Sequence, residues 1–295
     1  MINLKGVFPP ITTPFHEDGA LDLDGLRFNL AHLQQQPLRG IVAGGSNGEF
    51  SSLTVEERLA VVAACRGAWP ADRVLIAGSG METTAGTIDL TQRMADLGVD
   101  AVLVVTPSYF RAKMTRDTLT RHYTAVADAS PVPIILYSVP ANTGVDLPAE
   151  AVAGLSHHPN IIGMKDSGGD ITKLGRMVHD SVPGFQLLAG SGGFFLAALA
   201  VGAVGGVMAL ANIAAGPLAV VQRRFDAGDL SAARTAQLPL IALNSAVTAR
   251  FGVGGLKAAL DLLGLRGGRP RLPLEPASAS EVDEIQALMQ AAERR

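Results

Sequence analysis

Short apolar runs alternate along this chain with longer amphipathic stretches, and the two kinds of segment carry different periods. Residues 7–12, 40–43, 74–77, 101–105, 134–137, 161–165, 186–189 and 205–208 are short, nearly continuous apolar runs. A run of that length without polar alternation fits a strand covered on both faces, as in a parallel sheet. The stretches between them read as helices. Residues 54–68 open with Thr54 as cap and Glu57 three positions on, and they place Leu59, Val62 and Ala63 on one face. That is a reciprocal N-terminal cap followed by an amphipathic stripe. Residues 83–97 and 115–129 read the same way, and 148–155 begins with Pro148, which suits a first helical turn because that turn has no use for an N–H. Eight strand–helix units in series predict an α/β fold, a (β/α)8 TIM barrel with additional C-terminal helices. A doubly wound open sheet is the alternative. The barrel occupies residues 1–215, with its last helix running to about 228, and 229–295 forms a helical extension. Within that extension 232–248, 255–263 and 280–294 are helical, while 267–276, with three prolines, is a loop.

One segment complicates this picture. Residues 181–222 hold no charged side chain, and 194–213 could be taken for a membrane span. Gly202, Gly205, Gly206 and Asn212 interrupt it, however, and it divides into a short helix over 194–201 and the strand over 205–208. Buried helix and buried strand account for the same apolarity. The chain has 295 residues, 48% of them hydrophobic, which suits one barrel of roughly 250 residues. The net charge of −3 is spread along the chain, with no basic cluster for a nucleic acid. Cys65 is alone, so no internal disulfide forms, and a reducing compartment fits. Residues 1–10 lack the basic start and long apolar run of a signal peptide. The expectation is a cytoplasmic protein that uses neither membrane nor nucleic acid.

Catalytic groups of a barrel sit where its strands end and the following loops converge. Lys165 ends the run Ile161-Ile162-Gly163-Met164-Lys165, and strand alternation places Ile161, Gly163 and Lys165 on one face. If that face is inward, Gly163 leaves room for the long side chain, and the apolar setting frees the amine to attack a ketone. The other reading is a lysine that reaches solvent or pairs with Asp166. Tyr137 ends the neighbouring strand, where its phenol could shuttle a proton or merely close the core. Gly44-Gly45-Ser46-Asn47-Gly48-Glu49 follows the second strand, and Gly190-Ser191-Gly192-Gly193 the seventh. Such loops bring backbone N–H groups close to an anion, though many are only turns. No Lys or Arg lies near the second loop, which favours a carboxylate over a phosphate. His16, His32, His122, His157, His158 and His179 end no strand and show no two-histidine spacing, so no metal is expected.

These segments together resemble the pyruvate-dependent class I aldolase superfamily of dihydrodipicolinate synthase, N-acetylneuraminate lyase and 4-hydroxy-2-oxoglutarate aldolase. The resemblance runs from Gly6 to about Leu265. It rests on Gly45-Ser46-Asn47-Gly48-Glu49, Val105-Thr106-Pro107-Ser108-Tyr109, the stretch from Tyr137 to Gly144, and Gly163-Met164-Lys165, in that order. Within the superfamily, the stretches Gly45 to Phe50, Leu136 to Gly144, Gly163 to Asp170, Ala203 to Val207 and Arg250 to Gly252 look most like 4-hydroxy-2-oxoglutarate aldolase. The resemblance implies an imine on Lys165 in place of any cofactor, pyruvate as the keto substrate, and Tyr137 as proton shuttle. Ser46 and Tyr109 would relay the proton, Tyr109 from a neighbouring subunit of a homotetramer built from tight dimers. Ser46, Asn47, Asn142, Ser167, Gly190, Ser191 and Val207 would line the substrate.

The expected activity is cleavage of 4-hydroxy-2-oxoglutarate to pyruvate and glyoxylate. Asn142 stands where dihydrodipicolinate synthases usually carry an arginine that holds the aldehyde's carboxylate. That departure makes condensation of pyruvate with aspartate semialdehyde the alternative. Sialic acid lyases carry acidic residues where Ser191-Gly192-Gly193 stand here. Decarboxylation of oxaloacetate through the same enamine and a catalytically silent keto-acid-binding barrel complete the alternatives.

Overall fold

The computed structural model describes residues 2–293. Eight parallel strands form one sheet in the order β1-β8-β7-β6-β5-β4-β3-β2: β1 (Gly6–Phe8), β2 (Gly40–Ala43), β3 (Val74–Gly78), β4 (Ala101–Val105), β5 (Ile134–Ser138), β6 (Ile161–Asp166), β7 (Gln186–Ala189) and β8 (Gly205–Val207). The first and second strands meet through a bridge between Pro10 and Val42. There the N–H of Ile11 donates to Val42 O and that of Val42 to Pro9 O, which closes the barrel. β1 is shorter than the predicted run 7–12 because Pro9 and Pro10 have no N–H to extend a ladder.

The apolar runs hide an alternation that only closure reveals. Phe8, Val42, Ile76, Leu103, Ile135, Leu188 and Val207 fill the barrel. Their strand neighbours Ile41, Leu75, Val102, Leu136 and Leu187 face outward, into the layer shared with the helices. Leu4 plugs the lower end, held by its N–H on Gln186 Oε1 at 2.7 Å. In β6 the alternation breaks: Ile134 pairs with Ile161, but Ile135 pairs with Gly163. This bulge turns Ile162 inward and leaves Ile161 in the outer layer, contrary to the expected shared face of Ile161, Gly163 and Lys165.

The outer ring is α1 (Leu23–Gln34), α2 (Val55–Ala68), α3 (Thr84–Asp96), α4 (Arg116–Ala129), a short turn α5 (Pro140–Thr143), α6 (Ala149–Leu155), α7 (Ile171–Asp180), α8 (Phe195–Ala200) and α9 (Ala215–Asp226). The expected cap of α2 is present, with Thr54 N–H on Glu57 Oε2 at 2.9 Å and Glu57 N–H on Thr54 Oγ1 at 3.2 Å. Pro148 caps α6 instead of opening it. The uncharged segment divides as expected into α8 and β8, and among the described residues no helix is long and apolar enough to cross a membrane. Beyond the barrel follow α10 (Leu230–Gln237), α11 (Leu240–Ser245), a π turn at Ala246–Arg250, α12 (Gly252–Leu262) and α13 (Ala279–Glu293). The helix predicted over 232–248 is therefore two, broken at Pro239, whose ring cannot continue the hydrogen-bond ladder. Arg294, the predicted end of the last helix, lies outside the described residues.

Candidate active site

Tyr137 and Lys165 face each other in register across β5 and β6. Both point into the top of the barrel, and each is 3% exposed. The Lys165 Nζ lies 4.0 Å from the centroid of the Tyr137 ring. Gly163 lets β6 lie close against β7, since a Cβ there would meet Gln186 O at 2.3 Å. Lys165 neither reaches solvent nor pairs with Asp166. The Asp166 carboxylate takes Lys173 Nζ at 3.2 Å and the N–H of Gly168 at 2.8 Å.

The Tyr137 hydroxyl lies 3.3 Å from Ser46 Oγ. Burial alone would push this phenol up. The Lys165 charge and the hydrogen bonds from Ser46, Lys165 and Ser167 outweigh burial and hold Tyr137 below the usual phenol range. A lowered pKa suits a group that must take and return a proton near neutrality.

The loops after the strands supply the rest of the mouth. Ser46 and Asn47 lie half-buried in a tight turn over Ser46–Gly48, entered at Gly44 with φ +67°. Ser167 lies against Gly190, where a Cβ would meet its Oγ at 2.0 Å. The structure thus brings Ser46, Tyr137, Lys165, Ser167 and Gly190 together. Ser191 is turned aside: its Oγ accepts the N–H of Gly193 at 3.2 Å and Asn244 Nδ2 at 3.0 Å. Val207 is part of the packed barrel interior. Asn142 is exposed at the rim on α5, with its N–H on Val139 O at 2.9 Å. Tyr109 does not reach the site within one chain. It is 79% exposed and stands edge-on to Phe110, itself 68% exposed.

Sequence reasoning gave no role to several residues that shape this mouth. Thr106 is buried; its N–H donates to Tyr137 O at 3.2 Å, and its Oγ1 lies 3.5 Å from Thr143 Oγ1. Asn244 of α11 holds the Ser191 loop, with its Oδ1 accepting the N–H of Gly192 at 3.1 Å. Glu49 is buried against Lys257 of α12. Thr106 and Glu49 lie inside the motifs noted above, which is a signal, but Asn244 and Lys257 have no local pattern to mark them. Among the described residues no three His, Cys, Asp or Glu side chains converge as a metal site would require.

A parallel barrel with a lysine and a tyrosine paired inside its upper mouth defines an enzyme of the pyruvate-dependent class I aldolase type. The sequence model of the Dihydrodipicolinate synthetase family matches residues 3–292, and the chain belongs to that family. A 4-hydroxy-tetrahydrodipicolinate synthase of Exiguobacterium is 36% identical over 285 residues, 97% of each chain. The crystal structure of a dihydrodipicolinate synthase from Bacillus anthracis is similar with a TM-score of 0.94 at 30% identity, covering 98% of this chain and 99% of that one. The chloride-inhibited enzyme of Acinetobacter baumannii, solved with pyruvate, gives 0.93 at 31% identity over 99% of both chains. The expected superfamily is thereby shown. The finer expectation of a 4-hydroxy-2-oxoglutarate aldolase finds no support in these relatives, which carry the synthase name.

Proposed function

We propose that this enzyme condenses pyruvate with an aldehyde through an imine on Lys165, and that the aldehyde is aspartate semialdehyde. The reading is carried by one observation: the Lys165 Nζ stands 4.0 Å from the Tyr137 ring, with both side chains buried in the top of the barrel. The free amine of Lys165 attacks C2 of pyruvate, water leaves, and the imine withdraws electrons from C3. A C3 proton passes through Tyr137 and Ser46 to solvent, which gives an enamine, and the enamine adds to the aldehyde carbon. The alkoxide formed there takes a proton from Tyr137, and Ser46 at 3.3 Å passes one from solvent back to the phenol. Hydrolysis of the imine frees Lys165. Ser46, Asn47 and Ser167 supply hydrogen-bond donors to the pyruvate carboxylate. The covalent imine replaces any cofactor. The exposed pair Tyr109 and Phe110 is the surface on which a second copy docks, and it would carry Tyr109 to that copy's site.

The reverse-type reaction, cleavage of 4-hydroxy-2-oxoglutarate to pyruvate and glyoxylate, is the second reading. Asn142, standing where dihydrodipicolinate synthases usually carry an arginine, favours it. Borohydride reduction in the presence of pyruvate should leave a stable three-carbon adduct on Lys165; an adduct elsewhere, or none, sinks the imine. Comparing kcat/KM for the semialdehyde condensation with that for the cleavage then separates the two readings. A larger value for cleavage replaces the first by the second.

A further inference from the structure

The geometry points to Arg111 as the specificity-determining cation of this mouth, binding the carboxylate that the aldehyde carries. This inference rests on the imine reading above but holds for either aldehyde, because glyoxylate and aspartate semialdehyde both bear a carboxylate. Asn142 offers no charge, so a carboxylate arriving at the rim needs its cation from another segment.

The segment after β4 supplies one. Thr106 ties its start to β5 through Tyr137 O and meets Thr143 of α5. Glu82 then anchors the next turn. Its carboxylate accepts the N–H of Ser108 at 3.0 Å, the Ser108 hydroxyl at 3.1 Å and the N–H of Tyr109 at 2.9 Å. The chain next makes a short turn over Arg111–Lys113. From there Arg111 folds back onto Gly144, two residues beyond Asn142. A Cβ at Gly144 would lie 2.7 Å from Arg111 Cδ and 3.0 Å from Nη1. Gly144 also has φ +64°, a conformation other residues avoid. The position thus requires glycine twice, once for its backbone and once to seat the guanidinium against the rim.

Arg111 is also unspent. Arg93, Arg116, Arg176, Arg250 and Arg271 each hold a carboxylate of this chain. Arg111 is exposed and holds none among the described residues. A planar guanidinium accepts a carboxylate through two parallel hydrogen bonds, which a neutral amide cannot match in strength. At a solvated rim the charge is partly screened, so an effect of about tenfold is expected, not more than a hundredfold.

The experiment measures kcat/KM for cleavage of 4-hydroxy-2-oxoglutarate and of 4-hydroxy-2-oxopentanoate, which has a methyl group in place of the distal carboxylate. The semialdehyde and a carboxylate-free aldehyde are compared in the same way for condensation. In the wild-type enzyme the carboxylate-bearing partner should be preferred. Arg111→Leu should cut that preference about tenfold, and Arg111→Lys should retain part of it. A preference unchanged in Arg111→Leu, or equal in the leucine and lysine variants, overturns the assignment. Pyruvate trapping on the wild-type enzyme is run alongside. If it fails, the imine reading falls; if it succeeds while the preference ignores Arg111, only this inference falls.

Discussion

The Glu49 carboxylate lies 2.6 Å from the Lys257 ammonium, and neither side chain has any solvent exposure. Glu49 follows the Ser46 turn with φ +55°, unusual for a non-glycine residue. Its second oxygen accepts the N–H of Arg271 at 2.8 Å, and Lys257 Nζ also donates to Arg269 O at 3.0 Å. Burial pulls the Lys257 amine down, and the Glu49 charge opposes that pull. The helices beyond the barrel therefore hold the loop that carries Ser46. Removing one partner strands a buried charge, at a cost of about 3–5 kcal/mol. Lys257→Met should be destabilised by that order in denaturant unfolding, and the double variant Glu49→Gln/Lys257→Met should recover much of the loss. A single variant as stable as the wild type would show the pair to be dispensable.

Tyr137→Phe keeps the ring beside Lys165 and removes the hydroxyl proposed to carry the proton. Its kcat should fall by about two orders of magnitude or more, with KM changed less. Steady-state turnover near the wild-type value would transfer the proton step to another group, such as a water held by Ser167.

The lowered Tyr137 pKa depends in part on Ser46, whose hydroxyl stabilises the phenolate. Taking that bond away favours the protonated phenol and raises its pKa. In Ser46→Ala the alkaline limb of the kcat/KM profile should therefore move to higher pH. A limb that stays in place, or moves down, would dissociate it from Tyr137.

His122 is buried between α3 and α4, with Nδ1 3.0 Å from Thr84 Oγ1. Burial lowers its pKa to about 4, against an opposing pull from the Glu82 charge. The unfolded chain binds this proton near 6.5, before the folded one does. The stability that follows is present above about pH 6.5 and is lost as pH falls toward 4, a change on the order of 3 kcal/mol. Unfolding free energies measured across that window should slope less in His122→Gln. An equal slope assigns the acid sensitivity elsewhere.

Tyr109 tests whether a second copy completes the site. Tyr109→Phe should keep the oligomeric state and turn over slowly. Refolding a mixture of Tyr109→Ala and Lys165→Ala chains should restore activity that neither has alone, because one mixed site regains both groups. No recovery in proven mixed oligomers would confine Tyr109 to a structural part.

Most of the barrel was legible in the chain itself. Continuous apolar runs mark strands buried on both faces, and capping residues such as Thr54 and Glu57 mark where helices start. The strand-end positions of Tyr137 and Lys165 followed from the same pattern, because each closes an apolar run with a polar side chain. Three things needed the closed structure. The bulge at Ile161 and Ile162 reverses which residues face inward, and it arises from pairing with β5, which no local period encodes. Pro239 divides one amphipathic stretch into two helices, the first packed on α9 and the second on α13. The contacts of Glu49 with Lys257, and of Arg111 with Gly144, join segments that meet only when the barrel closes. Periodicity reports how each segment meets its immediate surroundings, so it located the strands and the groups at their ends. Which charge lies against which loop is decided by long-range packing, and that is visible only in three dimensions.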